Sequence, residues 1–117
     1  MLAKSLKLNL SDPQTRKIFR SGLIIKTTNL IASYDHKVQS SKIGVVIAKK
    51  TLTLATQRNK WKRFIYDQVK LNLAIIKALP IAVIIRFIPK TSLISKAQLA
   101  AEVKEIFLKI SKNEIFN

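Results

Sequence analysis

The chain has 117 residues, 48% of them hydrophobic, and no cysteine. That length suits one domain and that apolar content can build a core, while the absence of cysteine excludes disulfides and thiolate metal centres. Lys and Arg number 22 against 6 Asp and Glu, a net charge of +16, which strains a folded monomer unless a polyanion meets it, so nucleic acid is the first candidate partner and an anionic membrane surface the second.

The charge is spread through the chain rather than gathered in a tail. Residues 1–50 hold ten Lys or Arg against Asp12 and Asp35, and three of the six acids (Glu102, Glu105 and Glu114) fall near the end. The opening stretch MLAKSLKLNL lacks the continuous apolar run of a signal peptide. The most apolar region, 71–89, is interrupted by Lys77, Pro80 and Arg86. A spanning helix needs about 20 apolar residues, so a cytoplasmic protein that does not enter the membrane is expected.

In chain order, Asp12 reads as an N-cap with Pro13 at the first helical position. A short helix over 13–21 then turns Ile18 and Phe19 inward and stops at Gly22. Residues 23–34 are rich in β-branched side chains and predict a strand. The polar stretch 35–42 connects it to a compact apolar run at 43–48, read as a buried central strand that pairs with the first as a long hairpin. The period then changes. Trp61, Ile65, Val69, Leu73 and Ile76 recur at spacings of four or three, predicting a helix over 55–78 that stops before Pro80. Residues 81–88 form another strand, ended by Pro89. Ser95 with Gln98 is a capping box, and Leu99, Val103, Ile106, Phe107 and Ile110 carry a last amphipathic helix, with Glu102 and Glu105 read as its solvated face. The whole is one α+β domain over 1–117, in the order α-β-β-α-β-α, with flexible ends at about 1–10 and 112–117.

The segment ATQRNKWKRF (55–64) crowds Arg58, Lys60, Lys62 and Arg63 into less than two turns. With Trp61 and Ile65 directed at the sheet, Arg58 and Lys62 share one stripe and Asn59 and Arg63 the stripe beside it. Like charges so spaced cost a few tenths of a kcal/mol per pair. A phosphate backbone reverses that sign, because guanidinium binds phosphate through two parallel hydrogen bonds and a helix N-terminus adds partial positive charge. Lys49 and Lys50 precede the same helix start. A solvated charged face is the plain alternative, but the extreme net charge favours nucleic acid. Trp61 can stack on RNA or be buried, and its phase with Ile65 and Val69 favours burial. His36 reads as a surface residue. No carboxylate pair, nucleophile–histidine set or glycine-rich phosphate loop can be assembled.

IGVVIAKK followed by ATQRNKWKRF resembles the bacterial ribonuclease P protein component. Its hallmarks are a glycine-bearing hydrophobic strand ending in lysine and a helix with an Arg-Asn-Arg-like motif. Ile43–Gly44, Lys49, Lys50, Ala55, Arg58, Asn59, Lys60, Lys62 and Arg63 fit that pattern, as do the segment Phe19-Arg20-Ser21-Gly22 and the pair Pro89–Lys90. Lys60 replaces an arginine, Thr15 stands where the family often has an aromatic residue, and TLTLATQ is longer than the usual connection to the helix. The resemblance implies an α/β sandwich with a left-handed βαβ crossover (ribosomal protein S5 domain 2-like). It also implies the protein subunit of an RNA-based endoribonuclease that removes 5′ leaders from precursor tRNA. Catalysis lies with the RNA and with Mg²⁺ bound mainly by the RNA, and no protein partner is implied. By the same resemblance, Arg58, Asn59, Lys60, Lys62 and Arg63 contact the catalytic RNA. The leader cleft takes Thr15, Phe19, Ser33 or Tyr34, Lys49, Lys50 and Lys90. A non-catalytic RNA-binding protein, such as a ribosomal protein, is the alternative that charge and size leave open, and a membrane-surface protein is a third.

Overall fold

The computed structural model describes residues 22–35, 42–76, 81–89 and 94–116, with the backbone alone at 73–76 and 113–116. The stretch 23–34, expected as one strand, is broken in two. It is a hairpin of β1 (Leu23–Lys26) and β2 (Leu30–Asp35), paired antiparallel with Leu23 opposite Tyr34 and Lys26 opposite Ile31. The polar triplet 27–29 makes the turn. The Thr27 N–H donates to the Leu30 carbonyl at 2.8 Å, and the Leu30 N–H donates to Thr27 Oγ1 at 3.2 Å. Threonine scores as a strand former by its branching, yet its hydroxyl also bonds nearby backbone and stabilises turns. Here the second tendency wins.

The second correction concerns 43–48. That run does not form a hairpin with 23–34. As β3 (Lys42–Val46) it lies parallel to β4 (Ala82–Phe87), with Ile43 opposite Val83 and Val45 opposite Ile85. β4 also pairs antiparallel with β2, so the four-stranded sheet has the order β1-β2-β4-β3, which puts β3 at an edge rather than in the expected central place and gives a central place to β4. Between β3 and β4 the chain passes through helix α1 (Ala55–Ile76), and after β4 comes helix α2 (Lys96–Phe116). The described order is therefore β-β-β-α-β-α, and the helix expected at 13–21 lies outside the described residues. A parallel pair needs such a crossover, and its strands are buried on both faces. That explains why IGVV and AVII are continuous apolar runs rather than alternating ones.

Both helices cover one face of the sheet. Leu30, Ala32 and Tyr34 of β2, Ile43 and Val45 of β3, and Val83, Ile85 and Phe87 of β4 meet Trp61, Ile65 and Val69 of α1. From α2 come Leu99, Val103, Ile106, Phe107 and Ile110. Burying such a side chain stabilises by about 1.5–3 kcal/mol each relative to exposure. The period of α2 and that of α1 at Trp61, Ile65 and Val69 are as expected, while the side chains of Leu73 and Ile76 and residues 77–78 lie outside the described residues. Ser95 does cap α2, its Oγ accepting from the Gln98 N–H at 3.2 Å.

Gln98 does not close the capping box. Its amide reaches forward to Glu102 Oε2 at 3.2 Å, and Glu102 corrects a further expectation. Far from lying on a solvated face, it is 4% exposed. Its Oε1 accepts from Thr27 Oγ1 at 2.5 Å and from the Asn29 N–H at 2.6 Å, and its Oε2 accepts from Asn29 Nδ2 at 2.6 Å. Burial alone raises the carboxyl's pKa, but these bonds together outweigh it and hold the group below its ordinary value. One carboxylate thus clasps the β1–β2 turn to α2. Glu105 is on the solvated side as expected, half exposed and 3.5 Å from Lys109.

Candidate nucleic-acid interface

The site begins where β3 ends. Val46 closes the strand, and Lys49 and Lys50 stand exposed in the turn that follows, where Thr51 and Leu52 donate to the Ala48 carbonyl at 3.0 and 3.2 Å. Leu52, 3% exposed, anchors this loop in the core. α1 starts with Gln57 and Arg58 donating to the Leu54 carbonyl, each at 3.1 Å, and has no acidic side chain in its first turn. Arg58 folds back over the connection. Its Nη1 donates to the Leu52 carbonyl at 2.6 Å and to the Thr53 carbonyl at 2.9 Å. The connection is thereby fastened at Leu52 and Thr53 to the helix it feeds, and Ala55, Thr56 and Gln57 of the TLTLATQ segment already belong to the first turn of α1.

At 100° per residue, Trp61, Ile65 and Val69 fall on one side of α1 and are buried. Asn59, Lys60 and Arg63 are exposed on the outer side, while Arg58 and Lys62 lie on the flank, half-buried. The two expected stripes thus differ in exposure: Asn59 and Arg63, joined by Lys60, form the outermost row, and Arg58 and Lys62 lie at its border. None of the five enters the core. The helix is braced from behind by aromatic packing. Trp61 stacks on Phe87 at 5.9 Å and meets Phe64 edge to face at 5.8 Å, in the geometries such rings prefer. The burial reading of Trp61 therefore holds, leaving its face unavailable to bases.

On the β3 side of α1, Tyr66 Oη accepts from the Val45 N–H at 3.2 Å. β3 is an edge strand, so this hydroxyl satisfies one of its outward donors. Burial pushes the phenol pKa up, and the Val45 N–H only partly offsets that.

The register decides the alternative between Ser33 and Tyr34. Tyr34 is fully buried among the residues that face the helices, so it does not face the opposite side. Ser33 points to that second face, in a row with Ile24, Ile84 and Gly44, and is itself 2% exposed. The neighbouring row carries Lys26, Ile31, Arg86 and Val46. Lys26 and Arg86 thus join the second face as cations that the sequence reading passed over. Strand alternation could have marked them, had the hairpin turn at 27–29 been seen. Thr15, Phe19 and Lys90, and also Asp12 and His36, lie outside the described residues.

Among the described residues no three His, Cys, Asp or Glu side chains gather to hold a metal ion, and no helix is long and apolar enough to cross a membrane. A mixed sheet backed by two helices, one presenting a braced cationic row, defines a protein with a surface for a polyanion. A family model described as Ribonuclease P matches residues 3–111, and the chain belongs to that family. Curated relatives named ribonuclease P protein component, from Pseudomonas putida and Pseudomonas entomophila, are 35% identical over 57 residues. That match covers 49% of this chain and 43% of each relative, so it spans less than half of their length. The fold is similar to that of the RNase P protein from Thermotoga maritima, with a TM-score of 0.75 at 18% identity over 88% of this chain and 96% of that one. It is equally similar to the Staphylococcus aureus RNase P protein, with a TM-score of 0.74 at 21% identity over 93% and 97%.

Proposed function

We propose that the chain is the protein subunit of a ribonuclease P ribonucleoprotein, working in the cytoplasm to promote endonucleolytic removal of 5′ leaders from precursor tRNA. The observation that carries this reading is the cationic row on α1, held on a rigid aromatic backing, in a member of the Ribonuclease P family. Asn59, Lys60 and Arg63 face outward to the catalytic RNA. Lys62 and the unengaged side of the Arg58 guanidinium complete the contact from the flank. An exposed row of like charge has no internal reason to exist, and a phosphate backbone supplies the missing counter-charge.

The leader of the precursor is assigned to the second face of the sheet, with Lys49 and Lys50 as phosphate contacts at the loop and Lys26 and Arg86 along the strands, while Ser33, 2% exposed, lies beneath that surface rather than on it. Thr15, Phe19 and Lys90 remain the family-implied members of the same cleft. Mg²⁺ is assigned to the RNA, where it would supply charge stabilisation at the scissile phosphate. The protein residues bind and orient.

The discriminating experiment recovers the tagged chain from cells and sequences the RNA that stays bound through a moderate-salt wash. The expected outcome is one stable non-ribosomal RNA together with precursor tRNA. Recovery with ribosomal subunits instead would assign the chain to the ribosome and overturn the proposal.

A further inference from the structure

Two ammonium groups from different helices are pinned to one aromatic pair. Lys60 Nζ sits 5.5 Å from the Trp61 ring centroid, and Lys96 Nζ sits 5.8 Å from that of Phe64. The two rings touch edge to face, and Phe87 fixes Trp61 from below. Both lysines open onto a shallow groove of about 440 Å³ between α1 and the start of α2, which Asn59, Arg63, Phe64 and Asp67 also line.

A surface lysine ordinarily loses much rotamer freedom when it binds an anion. A ring face that already attracts the ammonium lowers that loss, because the cation is held before the ligand arrives. Three cations against one carboxylate leave the groove positive, with Arg63 able to engage a phosphate through two parallel bonds. Lys96 is the first residue of α2, and the Ser95 cap fixes the helix start that carries it.

We propose that this groove seats a segment of RNA backbone, with a phosphate held between Lys60, Arg63 and Lys96, so that the RNA footprint crosses from α1 onto α2. The inference rests on the ribonucleoprotein reading above and adds Lys96 as a binding residue from an element with no part in the Arg-Asn motif. Phe64 acts as a positioning residue: it holds the Lys96 ammonium over the groove.

The test measures association of the full chain with a bacterial ribonuclease P RNA across a KCl series. The proteins are the unaltered chain, Lys96→Ala, Lys96→Arg, Arg63→Ala and, as a control, Lys104→Ala on an exposed part of α2 away from the groove. Each lost phosphate contact reduces the log–log salt slope by about 0.7–0.9. The proposal expects that reduction for Lys96→Ala, its recovery in Lys96→Arg, and an unchanged slope for Lys104→Ala. A Lys96→Ala slope equal to that of the unaltered chain would overturn it. If Arg63→Ala still flattens the slope in that case, the ribonucleoprotein reading stands without the α2 contact. Failure of the unaltered chain to bind the RNA would remove both.

Discussion

A guanidinium offers five N–H donors in a fixed fork, and Arg58 directs Nη1 at the Leu52 and Thr53 carbonyls while the rest of the fork stays at the helix border. Arg63 is exposed and holds no part of the loop. The two arginines of the motif should therefore separate by experiment. Arg58→Ala is expected to lower stability by about 1–2 kcal/mol through the lost charge-assisted bonds and also to weaken RNA binding. Arg63→Ala should weaken RNA binding with the melting temperature unchanged, and paired thermal melts and binding isotherms check both. Glu102 makes a second prediction at this scale. Its folded-state pKa lies below the ordinary value of 4.5, so its stabilisation is present in full above that value and is lost as pH falls through the folded pKa. Glu102→Gln should melt well below the unaltered chain at pH 7, and the gap should close as pH drops below about 4.5. A gap that stays constant with pH would deny the carboxylate its role in the clasp. Sequence alone could not show this: a glutamate between Ala101 and Val103 on an amphipathic helix reads as surface. Its partners, Thr27 and Asn29, are more than seventy residues away.

Helices were the most legible elements because their evidence is local. The 3.6 period names Trp61, Ile65 and Val69 without knowledge of what they touch. The β4 run and the Ser95 cap were legible for the same reason. The β1–β2 turn was hidden by threonine's divided preference, and the parallel partnership of β3 with β4 by distance, since an apolar run does not say which strand it joins. Direction of exposure on α1 was legible to within one stripe, while the fold-back of Arg58 depends on a loop conformation that spacing does not encode. At this scale Tyr66→Phe should cost about 1 kcal/mol, by leaving the Val45 N–H of an edge strand without its acceptor. Urea unfolding measures it. Trp61→Ala should cost far more, about 3–5 kcal/mol, and should also weaken RNA binding, because Phe64 and Lys60 lose the surface that orders them. Rescue of binding at low temperature, where the variant stays folded, would mean that the aromatic backing serves stability alone.

For the molecule as a whole, a charge of +16 on 117 residues means that folding gathers repelling groups. Anions that bind the folded state should then raise the melting temperature by mass action, and sulfate should do so more strongly than chloride at equal ionic strength. Equal shifts would reduce the effect to screening. Only part of that excess lies on α1, where Arg58, Lys60, Lys62 and Arg63 have a hydrophobic anchor behind them, and on the proposed reading this is the part that meets the catalytic RNA. The most direct test is reconstitution: the chain is added to a bacterial ribonuclease P RNA at moderate Mg²⁺, and cleavage of a precursor tRNA is followed with and without it. The account predicts a clear gain in the rate of 5′ leader removal, lost on Arg63→Ala. Cleavage by the RNA that is the same whether or not the chain is present would contradict it.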